Sequence, residues 1–135
     1  MLPLPGALRA QNLVSNGSFE VAAAGTLPNA TLVPGATSLT GWTVIGSGNL
    51  LWCDSSSYCN RPAFDGVFSL DLTGLVNLAP YAGVEQAVAT TVGRQYSLGF
   101  ALAGRSDSVP VSVRASAGGA SAVFQTASAD WLQHR

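Results

Sequence analysis

The stretch DGVFSLDLTG, residues 65–74, decides the fold class of this chain. Between its two ends, apolar and polar residues alternate strictly: Phe68, Leu70 and Leu72 against Ser69, Asp71 and Thr73. A period of two is typical of a β-strand that buries one face. Asp65-Gly66 before the alternation and Gly74 after it are turn signals, so we predict a strand over 67–73. Asp71 is the anomaly, because acidic residues are disfavoured within strands.

Short strand-like segments recur along the rest of the chain. They cover residues 12–20, 41–46, 49–52, 83–90, 95–102, 109–116 and 120–126. Gly118-Gly119 predicts a two-residue hairpin turn, whereas 21–41 predicts a long loop. No segment of ten or more residues has helical periodicity. Seven or eight short strands separated by turn signals predict an all-β protein, a β-sandwich, jelly roll or barrel.

The two ends of the chain differ from its middle. Residues 1–11 resemble the end of a secretory signal peptide, with the small residue Ala10 just before Gln11. We expect a single β-sandwich domain over 12–135. Residues 130–135 look like the start of another strand, so we expect an open sheet edge. No 18-residue apolar run is present, and the sequence predicts no membrane span.

Composition argues against several classes of function. Only 10% of the 135 residues are charged, lysine is missing, and the net charge is −1. This pattern favours neither nucleic acid nor an anionic membrane as a partner. A Gly-x-Ser-x-Gly elbow and a P-loop are absent from the sequence, and the single histidine is His134. We therefore expect a non-catalytic protein.

Two cysteines, Cys53 and Cys59, bracket a short polar loop. Their spacing predicts a disulfide formed in an oxidising compartment. Two free thiols are the alternative. Zinc is disfavoured because His134 lies far along the chain from both thiols.

Five motifs in order resemble a known group of proteins. They are NLVSNGSFE (12–20), GWTV (41–44), DG with SLDLTG (65–66 and 69–74), GVEQ (83–86) and GRQYSLGF (93–100). Their order resembles that of bacterial secreted choice-of-anchor C and DUF642-like domains, relatives of galactose-binding-like jelly rolls and carbohydrate-binding modules. The resemblance runs from about Asn12 to Trp131. It implies a secreted or surface-attached, non-catalytic jelly-roll β-sandwich that here lacks one or two C-terminal strands.

The resemblance also implies a structural calcium ion. In related carbohydrate-binding modules, a glutamate at the position of Glu20 helps to hold calcium, together with backbone carbonyls and a last-strand aspartate. Calcium takes six to eight oxygen ligands. Asp65 and Asp71 are the further carboxylates that we expect to contribute. The alternative for Glu20 is a solvated carboxylate at a strand end, and for Asp71 a solvated or cross-strand hydrogen-bonded carboxylate.

Carbohydrate binding is the function that the resemblance implies, and aromatic residues are the first candidates for it. Aromatic rings offer flat apolar faces on which sugars stack. Trp52, Tyr58 and Tyr81 lie in or beside loops, so we expect them to form an exposed platform for a polysaccharide or glycan. Asn60 and Arg61 could supply hydrogen bonds to its hydroxyl groups.

A different class of function remains open beside this one. A structural surface or assembly module would use the open sheet edge to pair with a strand of another chain. The leading prediction is a secreted carbohydrate-binding module of the cell surface or extracellular matrix.

Overall fold

The computed structural model describes residues 10–56, 59–75, 78–105 and 109–135. Within these ranges the chain forms nine β-strands and no helix, which confirms the prediction of an all-β protein. None of the described segments is therefore a helix long and apolar enough to cross a membrane. The proposed signal remnant falls almost wholly on residues 1–9, outside the described residues. The jelly-roll arrangement stays a prediction.

The strands belong to two compact units, one ending at Ala89 and the other starting at Thr90. The first unit contains β1 (Ala30–Leu32), β2 (Thr43–Gly46), β3 (Leu50–Cys53), β4 (Ser69–Asp71) and β5 (Ala82–Glu85). The second contains β6 (Phe100–Leu102), β7 (Val111–Ala117), β8 (Ala120–Thr126) and β9 (Leu132–His134). In the first unit β1, β3 and β4 form an antiparallel sheet in that order, and β2 pairs with β5. In the second, β6 pairs with β9 and β7 with β8.

Strand β3 is the centre of the first unit, and all four of its residues are buried. Because side chains alternate across a strand, Leu50 and Trp52 face one side and Leu51 and Cys53 the other. The first side joins the core cluster, which comprises Leu32, Leu39, Val44, Leu50 and Trp52. Both faces of this strand are therefore covered, which explains its uninterrupted apolar sequence.

Strand β4 confirms the centre of the predicted strand over 67–73 and corrects its ends. Asp71 is the last residue of the strand, not a mid-strand residue. Its Oδ1 accepts hydrogen bonds from the Thr73 N–H at 2.9 Å and the Thr73 hydroxyl at 2.6 Å. The Gly74 N–H then donates to the Asp71 carbonyl, which closes a turn. The acidic residue is accommodated because its carboxylate satisfies the turn backbone.

The polar side of β4 is not open to solvent. Ser69 is only 8% exposed, and its hydroxyl donates to the Cys59 sulfur at 3.6 Å. Ser69 also pairs with Cys53 on the neighbouring strand. The disulfide segment therefore covers the face that the alternation assigned to water.

Within residues 12–20 the sequence predicts a strand interrupted by a turn or bulge at Asn16-Gly17; the structure has bends and turns at 15–18, but no strand. Asn16 has a left-handed φ of 48°. Its side-chain amide donates to the carbonyls of Val21 and Thr40, and its Oδ1 accepts from the Val21 N–H. A side chain that bonds locally to backbone competes with a strand ladder. The loop predicted over 21–41 is also wrong in part, because it contains β1.

The second unit confirms the predicted hairpin. Gly118 and Gly119 have φ angles of +57° and +84°, and they connect β7 to β8. A type I′ turn requires positive φ at both central residues, which glycine adopts without strain. Of the strand predicted over 95–102, only the last three residues form a strand, β6. The strand start expected at 130–135 is confirmed as β9. The strand predicted over 83–90 likewise shortens to β5.

Candidate functional site

Trp52 lies in the core and not on an exposed platform, so the expectation of an exposed ring is wrong. Only 3% of its surface is accessible, and its ring stacks on Phe68 with centroids 4.2 Å apart. Its Nε1–H donates to the Phe19 carbonyl at 2.9 Å. A ring enclosed in this way has no face free for a ligand.

Three of the sequence motifs meet through side-chain to backbone hydrogen bonds. The Gln86 Oε1 accepts from the Ser15 N–H at 2.8 Å, and its Nε2 donates to the carbonyls of Ser15 and Gly41. Trp42 packs against the core cluster and donates from Nε1 to the Asn16 carbonyl at 2.9 Å. Residues 12–20, 41–44 and 83–86 therefore form one structural network. Its visible role is to hold the turn-rich segment in place.

Glu20 caps the turn that precedes β4. Its Oε1 accepts from the backbone N–H groups of Val67 at 2.9 Å and Phe68 at 2.8 Å. Gly66 in that turn has a φ of +74°, and a Cβ there would overlap the Glu20 carboxylate. Glycine is therefore required at this position both by the backbone conformation and by the closeness of the carboxylate. The Asp65-Gly66 turn signal is explained by this contact.

The structure does not gather the expected calcium ligands into one cluster. Glu20 accepts from the turn backbone, and Asp71 accepts from Thr73. Asp65 is exposed. Among the described residues, no group of three or more histidine, cysteine or acidic side chains is placed to hold a metal ion. Calcium, which takes six to eight oxygen ligands, stays a prediction.

The disulfide between Cys53 and Cys59 is confirmed. Inside its loop, the Asp54 Oδ1 accepts from both the hydroxyl and the N–H of Ser56. Asn29 adds weaker contacts of 3.4 Å to the Asp54 carboxylate and N–H. The hydroxyl of Ser56, followed by its N–H, lowers the pKa of Asp54 below its ordinary value, because these bonds favour the charged carboxylate.

The other predicted ligand-binding residues differ in how far they are exposed. Tyr58 lies outside the described residues. Asn60 is exposed with a φ of 48°, and Arg61 is half-buried. Tyr81 is 56% exposed and is the one aromatic candidate whose described surface is open. A joint site of these residues stays a prediction.

Tyr81 borders a groove of about 320 Å³ in the first unit. Its carbonyl accepts from the N–H of Gly48, a groove residue, and its neighbour Pro80 lines the groove. The lining comes from the β1 strand, the β2–β3 connection and the segment after β4: Thr31, Ser47, Gly48, Asn49, Thr73, Gly74, Leu75, Leu78 and Pro80.

Two buried glycines allow the groove segments to approach each other. A Cβ at Gly48 would collide with the Pro80 carbonyl. A Cβ at Gly74, where φ is +62°, would lie 2.7 Å from the Asn49 carbonyl. Either substitution would push the walls of the groove apart. The chain is thus adapted to bring these connections together.

The lining of the groove is uncharged and chemically mixed. Thr31, Ser47 and Asn49 are exposed polar residues. Their side chains form no hydrogen bond within the part of the chain that the structure describes. Leu75 and Leu78 are 53% and 67% exposed and supply an aliphatic surface. Hydroxyl and amide groups beside apolar carbon suit a polar but uncharged ligand.

These groove residues were not anticipated from the sequence. They come from three separate segments of the chain, and Thr31 falls in the stretch predicted as loop. The signal that was available is the cluster of aliphatic residues and proline between β4 and β5, which is unusual for a solvated loop. That cluster indicates an exposed apolar surface but not its polar partners.

Comparison with known proteins places the chain in a family. The model of one family, described as a protein of unknown function (DUF642), matches residues 12–131. The chain belongs to the DUF642 family. The match covers the hydrogen-bonded motif network, the Glu20 turn and the groove, so these are features of a DUF642 domain in this chain. No curated protein and no solved structure matches significantly. The further likeness to choice-of-anchor C domains stays a prediction.

Proposed function

We propose that this DUF642 protein is a secreted, non-catalytic module that binds carbohydrate at the cell surface or in the extracellular matrix. The observation that supports it is the uncharged groove beside the exposed Tyr81. Ligand sites combine apolar walls with a few polar groups that fix orientation. Carbohydrates match such a lining, because each sugar ring carries hydroxyl groups around its rim and C–H groups on its faces.

The disulfide supports the location. Disulfides persist in oxidising compartments and are rare where thiols are kept reduced. Cys53 is fully buried, so the bond is an integral part of the first unit and not a surface accessory. An extracellular place of action agrees with a glycan as the ligand.

A glycan array followed by affinity gels tests this function. The protein should be retained by at least one polysaccharide, and Tyr81→Ala should weaken its retention roughly three- to tenfold, the range expected when an aromatic contact is lost. Tyr96→Ala is the matched control, since Tyr96 is 49% exposed in the second unit. Absence of binding to every glycan would refute the proposal.

A second function, assembly through strand addition, is favoured by one observation. Residues 95–99 belong to no strand of the described structure, and Tyr96 and Leu98 are 49% and 42% exposed. A segment outside the sheets can accept a strand from another chain. Size-exclusion chromatography with light scattering separates the two functions: a concentration-independent monomer argues against assembly, and concentration-dependent oligomers support it.

A further inference from the structure

We propose that the groove binds a single neutral sugar unit, with Asn49 as the principal polar contact and Leu78 as part of the apolar contact. This inference rests on the proposed carbohydrate-binding function and specifies its site and its ligand class. The proposed site therefore differs from the cysteine-loop site around Tyr58, Asn60 and Arg61 that the sequence predicts.

The size of the groove limits the ligand. Its volume of about 320 Å³ is at the lower end of the roughly 300–1,000 Å³ that ligand pockets occupy. A groove of this volume suits one ring and does not provide a track for several. Additional units of an oligosaccharide would extend into solvent and add little affinity.

The charge of the lining selects against acidic sugars. None of the groove residues is an arginine, lysine or histidine. A carboxylate or sulfate is normally bound by arginine or lysine, which return part of the hydration that the anion loses. Binding an acidic sugar here would cost desolvation without that compensation. A neutral sugar carries no such penalty.

The polar residues of the groove offer both donors and acceptors. The Asn49 amide has two N–H donors and a carbonyl acceptor, so it can bind two adjacent hydroxyl groups of a ring. Thr31 and Ser47 each add a hydroxyl that serves as donor or acceptor. These three residues come from β1 and from the β2–β3 connection, on which the groove is built. These hydroxyl and amide groups would orient the sugar.

The apolar residues of the groove come from a different segment, the connection between β4 and β5. Leu75, Leu78 and Pro80 present aliphatic surface, and Leu78 is 67% exposed. Burying the C–H face of a sugar ring against this surface removes apolar area from water, which is favourable. The exposed Tyr81 follows immediately and extends the surface at the border of the groove.

The test is calorimetric or NMR titration with methyl glycosides of galactose, glucose, mannose, xylose and galacturonate. We expect at least one neutral glycoside to bind, and galacturonate to bind at least tenfold more weakly than the best of them. Asn49→Ala should weaken binding roughly three- to tenfold, the effect of losing a neutral hydrogen bond. A trisaccharide ending in the preferred sugar should bind within about threefold of the methyl glycoside.

Matched variants keep these outcomes interpretable. Gln125→Ala, an exposed amide on β8, is the control for Asn49→Ala and should leave affinity unchanged. Leu78→Asp should weaken neutral sugars as well, by removing the apolar contact. Both groove positions are exposed, so circular dichroism melts of the variants should match that of the parent.

Three results would overturn the inference, and they differ in what else they overturn. Equal affinity for galacturonate would refute the neutral ligand. Glycan binding that Asn49→Ala and Leu78→Asp leave unchanged would place the site elsewhere while the proposed function stands. Failure of all array glycans and all methyl glycosides to bind would refute both.

Discussion

Removing the Glu20 carboxylate should destabilise the turn that leads into β4. Its Oε1 accepts two backbone hydrogen bonds, from Val67 and Phe68. A hydrogen bond to a charged group contributes roughly 1.5–3 kcal/mol. Val67 is 56% exposed, so water can replace its bond, whereas the N–H of half-buried Phe68 is harder to hydrate. We therefore expect Glu20→Ala to lower the free energy of unfolding by about 2–3 kcal/mol.

Glu20→Gln separates charge from geometry. The glutamine amide keeps one acceptor oxygen of similar reach but loses the negative charge. Neutral hydrogen bonds contribute roughly half as much as charge-assisted ones, so the expected loss is about 1 kcal/mol. Glu85→Ala is the matched control, because Glu85 is an exposed carboxylate on β5 with no hydrogen bond in the described chain. Its effect should stay within about 0.5 kcal/mol.

Gly66 should be coupled to Glu20. Alanine at Gly66 must adopt a left-handed φ of +74°, at a cost of roughly 1–2 kcal/mol, and its Cβ must also displace the Glu20 carboxylate. We expect Gly66→Ala to cost about 3–4 kcal/mol in the parent protein. In the Glu20→Ala background only the φ cost remains, which gives a coupling of about 2 kcal/mol.

The assay is equilibrium unfolding in urea, followed by tryptophan fluorescence with the disulfide intact. A loss of 2–3 kcal/mol corresponds to a midpoint shift of about 1–2 M for the m-values of small proteins. Strict additivity of Glu20→Ala and Gly66→Ala would refute the proposed contact. A Glu20→Ala effect no larger than that of Glu85→Ala would refute the capping role.

Three further predictions concern the core and the cysteine loop. Trp52→Phe should cost about 2–3 kcal/mol in thermal or urea unfolding, because it leaves a cavity and removes an indole hydrogen bond to a backbone carbonyl. Carbon-13 NMR titration should find the pKa of Asp54 below its ordinary value of 3.8, and Ser56→Ala should raise it. Because this pKa is lowered by folding, the contribution of Asp54 to stability is present above pH 3.8 and is lost as pH falls through the folded-state pKa. Replacing Cys53 and Cys59 together by alanine should cost about 2 kcal/mol, the loop entropy of a short disulfide.

Elements with purely local determinants were predictable from the sequence. The β7–β8 hairpin follows from clean alternation on both arms and from a Gly118-Gly119 turn that only residues tolerant of positive φ can form. Strand β3 follows from its continuous apolar run. The disulfide was predictable because six positions separate Cys53 from Cys59, a distance that a loop spans easily.

Elements set by side-chain hydrogen bonds were not predictable. The segment 12–20 has strand-like composition, but Asn16 bonds to the backbone of Val21 and Thr40 and holds the chain in turns. This interaction depends on residue 40, which no local pattern identifies. Strand β1 has only three residues and no flanking alternation, so its pairing with β3 is the only feature that defines it.

The candidate site was predictable only in part. Tyr81 was expected to be exposed and is exposed. Trp52 was expected to share that surface because it adjoins the cysteine loop, yet pairing on both sides of β3 encloses it. The polar lining of the groove includes Thr31 and Asn49. These residues are brought together by the pairing of β1 with β3, and no local sequence pattern indicates that pairing.

The most direct test of the account is an amide NMR titration of the full chain with the neutral methyl glycoside or glycan that binds best. We predict that chemical-shift changes centre on residues 47–50, on Thr73–Leu75 and on Leu78–Tyr81, which form and border the groove. Shifts confined to the cysteine loop around Asn60, or to residues 94–99 in the second unit, would contradict it.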